Sequence, residues 1–263
     1  MSEHFSRRAV LQAAPAVALR PRSHEAAIQQ AVARAGGLPV VPRGGLVVLK
    51  VNSNSGDPAP YSSSPTLVRE VASAYVKQGV RVLVGDRSFW GDLDTAGNLE
   101  RNGLAPAARA AGATVVAFEN DTVRWKALPA ELLPSWIAPV RVPSVVFEAN
   151  VVINLACAKT HFITGVTLGL KNVLGFVHAD DRARPGNLRT HVRERIHLQI
   201  AELHRALPIA FTIIDGYDAL VTGGPTPSSG APPTIVRAGV VLASREAHAV
   251  EAEGRALLAS WAP

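Results

Sequence analysis

The chain has 263 residues, 48% of them hydrophobic and 18% charged, and a formal net charge of +6. That length and apolar content are enough for one large or two small domains with a substantial core, which excludes a disordered or low-complexity chain. The basic residues are scattered, without aromatic interleaving or a reading helix, a pattern that argues against nucleic acid and for small acidic molecules or a solvated surface.

At the amino terminus, Ser6-Arg7-Arg8-Ala9-Val10-Leu11 has the paired arginines and following apolar positions of a twin-arginine export signal. Ala16-Val17-Ala18 offers small residues for cleavage, and the competing reading is an amphipathic terminal helix. Residues 1–22 are therefore expected to be a signal or a disordered terminus, and 23–263 a single α/β domain. Export would place the protein in the periplasm; without it the location is cytoplasmic. No other segment is long and apolar enough to span a bilayer.

From Ser23 to Gly36 the alanines and isoleucine of HEAAIQQAVARAGG share one helical face, and glycines close it. Leu46 to Val51 is the first clear strand, running into a small polar loop from Asn52 to Pro58. Ser64-Pro65-Thr66 opens a helix over Leu67–Gln78, Val80–Val84 is a strand, Thr95–Gly112 is helical, and Ala113–Phe118 is a strand again. This alternation predicts an α/β fold with a mainly parallel or mixed open sheet and helices on both faces. A proline-spotted stretch from Leu128 to Pro143 interrupts it, as an antiparallel excursion or hairpin. Val151 to Cys157 reads as a strand buried on both faces, ending abruptly at Lys159-Thr160-His161. Cys157 is the single cysteine, so neither an intrachain disulfide nor an iron–sulfur cluster held by this chain's cysteines is expected. The apolar segment from Val166 to Val177 suits a short helix, and Lys171-Asn172 sits inside it. A helix over Val192–Leu207, strands over Phe211–Ile214 and Val236–Leu242, and a helix over Arg245–Ser260 complete the chain.

Several apolar strands end, or nearly end, in chemically useful groups: Lys50 with Asn52, Asp86, Lys159 with His161, and Asp215. In open α/β sheets ligands bind beyond the carboxyl ends of the strands, so a parallel sheet would gather these groups on one rim. Lys171, Asn172 and His191 lie nearby in the chain. An unpaired charge beside an apolar core is costly, so something anionic should meet these lysines.

These elements carry a resemblance. Lys50-Val51-Asn52, Gly85-Asp86, Cys157-Ala158-Lys159-Thr160-His161, Gly165-Val166-Thr167, Leu170-Lys171-Asn172, Gly175, His191, Ile214-Asp215-Gly216 and Gly224-Pro225 together resemble the domain-of-unknown-function 362 family of bacterial and archaeal proteins. The likeness runs from about Val47 to Val250. It implies twin-arginine export, common among members, but the ferredoxin-type module that many carry is absent. Where the family usually shows two aspartates near the carboxyl end, this chain has Glu246 and Glu251.

Three chemistries fit the residues. In the first, a small carboxylate or phosphate is neutralised by Lys50, Lys159 and Lys171 and oriented by Asn52 and Asn172. His161 or His191 then moves a proton, with Asp86 or Asp215 fixing the imidazole, and backbone amides near Gly224 approach the ligand. The second is a metal site from His161, His178, His191, Asp180 or Asp215. It would go with a distant similarity to the amino-terminal part of lactate-racemase-like proteins, and the lysines would oppose a cation there. The third is a non-catalytic exported ligand-binding or maturation factor. No Gly-x-Ser-x-Gly turn, P-loop or dinucleotide glycine fingerprint is present.

Overall fold

A computed structural model of the chain describes residues 16–17, 22–88, 94–119, 123–137, 139–184, 187–188 and 194–262. The twin-arginine pair and His191 lie outside the described residues.

The main sheet has nine strands: β1 (Ala16–Val17), β2 (Leu46–Lys50), β3 (Arg81–Asp86), β4 (Thr114–Ala117), β5 (Val151–His161), β6 (Gly165–Thr167), β7 (Ile209–Thr222), β8 (Thr234–Val236) and β9 (Val240–Ser244). The strand order is β1-β9-β7-β5-β2-β3-β4, with β6 paired to β5 and β8 to β7. From β7 to β4 all neighbours are parallel, whereas β1, β6, β8 and β9 pair antiparallel with theirs. The expected mixed, mostly parallel sheet is present. Its order reverses between β2 and β5, because the chain first builds outward through β3 and β4 and then returns to the other side of β2. Such a switch point opens a crevice at the strands' carboxyl ends.

Helices α1 (His24–Arg34), α2 (Pro65–Val76), α3 (Thr95–Arg101) and α4 (Leu104–Ala110) cover one face. Ser23 and Ser64 cap α1 and α2, accepting from the Ala26 and Leu67 amides at 3.2 and 3.0 Å. Helices α6 (Ile196–Ala206) and α7 (Ala247–Trp261) cover the other face with the short α5 (Gly169–Asn172). Strand alternation sorts the side chains between these layers. Val47 and Leu49 pack toward α1 and α2, whereas Val48 and Lys50 face the opposite layer, where Lys50 lies 5.6 Å from the Phe176 ring centroid.

Several elements differ from the sequence reading. The single helix expected over Thr95–Gly112 is two, parted at Gly103, which adopts φ 83°. Strand β5 does not stop at Lys159 but continues to His161, because β6 pairs beside it. The helix expected from Val166 to Val177 is instead β6, then α5, then a 3₁₀ turn over Val173–Phe176. The β-branched Val166 and Thr167 favour a strand where an edge is available to pair with. Trp125–Ala127 and Arg141–Pro143 form a separate antiparallel ladder, the excursion expected of the proline-spotted stretch. Among the described residues no helix is long and apolar enough to cross a membrane.

Candidate functional site

Lys50 ends β2 and Asn154 is its register partner on the parallel β5. Between these strands, and beyond them, lies a cleft with about 470 Å³ between its walls, open mouth included. Lys50, Asn52, Asp86, Lys159 and His161, five of the six strand-end groups, line it together with Lys171 and Asn172.

At the base, the Lys50 ammonium lies 2.6 Å from Asp86 Oδ1 and donates to the Val51 carbonyl at 2.6 Å. Asp86 also accepts from the Ser53 amide at 2.5 Å and the Arg87 amide at 2.7 Å. Burial pushes the Lys50 amine down and Asp86 pulls it back up. Gly175 makes room for this pair, since a Cβ there would fall on the Asp86 carboxylate and the Lys50 amine.

Above the pair runs a chain of buried amides. Lys159 Nζ donates to Asn52 Oδ1 at 2.8 Å, Asn52 Nδ2 to Asn172 Oδ1 at 3.0 Å, Asn172 Nδ2 to Asn154 Oδ1 at 2.8 Å, and Asn154 Nδ2 to the Gly169 carbonyl at 2.7 Å. The lysine can only donate, so it sets the direction of every amide after it. Lys159 also donates to the Tyr61 carbonyl. Fully buried, it has no carboxylate partner among the described residues, and burial lowers its pKa.

Lys171 is half-buried, and its ammonium makes no hydrogen bond or ion pair to any described residue. Burial first, then the positive charges of Lys159 and Arg182, push its amine down to about 7. It is carried by α5, whose Leu170 amide donates to the buried Glu251 Oε2 at 3.0 Å. Glu251 thus holds the backbone that presents Lys171, and its other oxygen meets Arg255 at 3.1 Å. Glu246 is exposed.

His161 accepts at Nδ1 from the Ile163 amide at 3.1 Å and stacks on Phe162. In its neutral form the ring proton therefore sits on Nε2. Neither predicted aspartate fixes this imidazole. Asp215 does not line the cleft: it faces the α1 and α2 layer, 2.9 Å from His24 Nε2, and accepts from Ser64 Oγ at 2.7 Å. The Gly224 amide donates to Thr160 Oγ1 at 3.2 Å, and a Cβ there would strike the Thr160 carbonyl; Pro225, not Gly224, lines the cleft. The metal set is dispersed as well. His178 packs on Trp125, Asp215 lies across the sheet, and among the described residues no group of three or more His, Cys, Asp or Glu side chains is placed to hold a metal.

Arg87, Arg182 and Thr167 also line the cleft and were not assigned from sequence. Thr167 stands in a motif quoted above, but a threonine in a strand carries no signal of its own. Asn154 could have been found, as the single amide inside the apolar run of β5.

The model of the family described as Domain of unknown function (DUF362) matches residues 47–254. The chain belongs to that family. The cleft-lining residues of this DUF362 chain, from Lys50 to Pro225, all fall within the matched span. Comparison with curated proteins finds no match. Among solved structures, the lactate racemase apoprotein from Thermoanaerobacterium thermosaccharolyticum is similar in fold, with a TM-score of 0.51 and 15% identity. The alignment covers 90% of this DUF362 chain and 55% of the racemase, so the chain spans about half the length of that neighbour.

Proposed function

We propose that the cleft at the ends of β2 and β5 binds a small anion, a carboxylate or a phosphate, and transforms it by acid–base chemistry. The observation that carries this reading is the pair Lys159 and Lys171, two ammonium groups on one cleft with no carboxylate partner among the described residues. Burying unpaired charge is expensive, and a bound anion removes that cost. An amine near neutrality exists in both protonation states at working pH, as a general base requires, and His161 lines the same cleft. The structural neighbour is named for a small carboxylate, which agrees with a ligand of this size.

The test is a thermal-shift titration with acetate and inorganic phosphate. The wild-type protein is expected to gain stability with ligand, by about 2.7 kcal/mol at a hundredfold excess over Kd. Lys171→Met should remove the gain while leaving the ligand-free melting temperature unchanged or raised. If neither anion shifts the wild-type protein, the reading is wrong.

A further inference from the structure

Thr167 ends β6 and is the direct register partner of Lys159 on β5. Residues opposed in an antiparallel ladder project from the same face, so its hydroxyl and the Lys159 stem leave the sheet side by side. Both residues line the cleft. Thr167 is 3% exposed, and its Oγ1 has no hydrogen-bond partner among the described residues. Its neighbours do not share this condition. In the same hairpin the Thr164 hydroxyl donates to the Val166 carbonyl at 2.8 Å, and the amides of Asn52, Asn154 and Asn172 are all bonded.

A buried hydroxyl left without a partner is destabilising, and native proteins rarely keep one without a use. We infer that Thr167 binds the ligand of this cleft and selects acids that carry a neutral oxygen next to the charged group, the 2-hydroxy and 2-oxo carboxylates, over plain carboxylates. The assignment rests on the anion reading above. Lys159 and Lys171 take the charge, and the hydroxyl, which can donate or accept, takes the second oxygen. Thr167 lines the same cleft as both lysines, so an acid whose carboxylate sits on the lysines can meet the hydroxyl with a neighbouring oxygen. A plain carboxylate leaves the hydroxyl unmet. A site built to bond such an oxygen discriminates strongly against the analogue that lacks it.

The experiment compares Kd for propanoate and for each enantiomer of 2-hydroxypropanoate, using wild type, Thr167→Val and Thr167→Ser. Valine keeps the β-branched shape and strand preference of threonine, and serine keeps the hydroxyl. Wild type is expected to bind one or both hydroxy acids about tenfold or more tightly than propanoate, the scale of one buried hydrogen bond. Thr167→Val should bring the acids to within about twofold of each other, with the hydroxy acids weakened more than propanoate, and Thr167→Ser should keep the preference. Equal wild-type affinities, or a preference that survives in Thr167→Val, overturn the assignment while leaving the anion reading intact. No saturable binding of any of these acids to wild type overturns the assignment, and overturns the anion reading with it when inorganic phosphate does not bind either.

Discussion

Lys171 is a cleft cation whose state changes within the ordinary working range, and its titration has two consequences. In the unfolded chain the amine holds its proton to about 10.5, whereas in the folded protein it releases it above about 7. Between those values the unfolded state binds more protons, so stability rises with pH across the window, and the penalty is fully present below it. Lys50 and Lys159 are shifted in the same direction. Urea denaturation of the ligand-free protein from pH 6.5 to 9.5 should show this rise, and Lys171→Met should flatten part of it. Anion affinity should run the opposite way, falling above about pH 7 as the ammonium is lost. Lys50 and Asp86 form a buried ion pair in which each neutralises the other. Asp86→Asn leaves a buried ammonium without its carboxylate and should cost about 3–5 kcal/mol in urea denaturation; a loss under about 1 kcal/mol would mean that water or another group replaces the pair. The cleft's polar groups were legible where a charge or amide interrupts an apolar run, as at Lys50, Lys159 and Lys171-Asn172. Asp215 was grouped wrongly for a specific reason. Sequence gives a residue's place along a strand, but not which helical layer its face meets, and Asp215 shares the parity of Phe211 and Ile213, which pack toward α1 and α2.

At the level of elements, α5 does more for the cleft than its four residues suggest. Its amino end is tied to α7 through Leu170 and Glu251, and its carboxyl end joins the amide chain through Asn172. Glu251→Ala leaves the Leu170 amide unpaired, which should cost about 1–3 kcal/mol. It should also weaken acetate binding several-fold although Glu251 touches no ligand-facing group. An affinity within twofold of wild type would show that the amide chain alone holds α5 in place. Burial raises the Glu251 carboxyl above its ordinary value, so between the two values the folded state binds more protons than the unfolded chain and this group's contribution to stability falls as pH rises. This arrangement could not be read from periodicity. The Val166–Val177 segment is apolar throughout, and only the pairing edge offered by the end of β5 decides that its first residues form a strand.

For the whole molecule, the strand alternation already implied a parallel sheet, but the order of its strands did not follow from the sequence. Nothing local states that the chain returns beside β2 after building β3 and β4; that depends on how the apolar faces are covered. The reversal it creates sets Lys50 and Lys159, more than a hundred residues apart, on adjacent strands. A ribosome-bound chain that has emerged only as far as Asn150 can pair β2, β3 and β4 and can join Lys50 to Asp86. Its β2 still has one bare edge, and neither Lys159 nor Lys171 has emerged. During synthesis such a nascent chain is both exposed to edge-to-edge association and unable to be rescued by the anion.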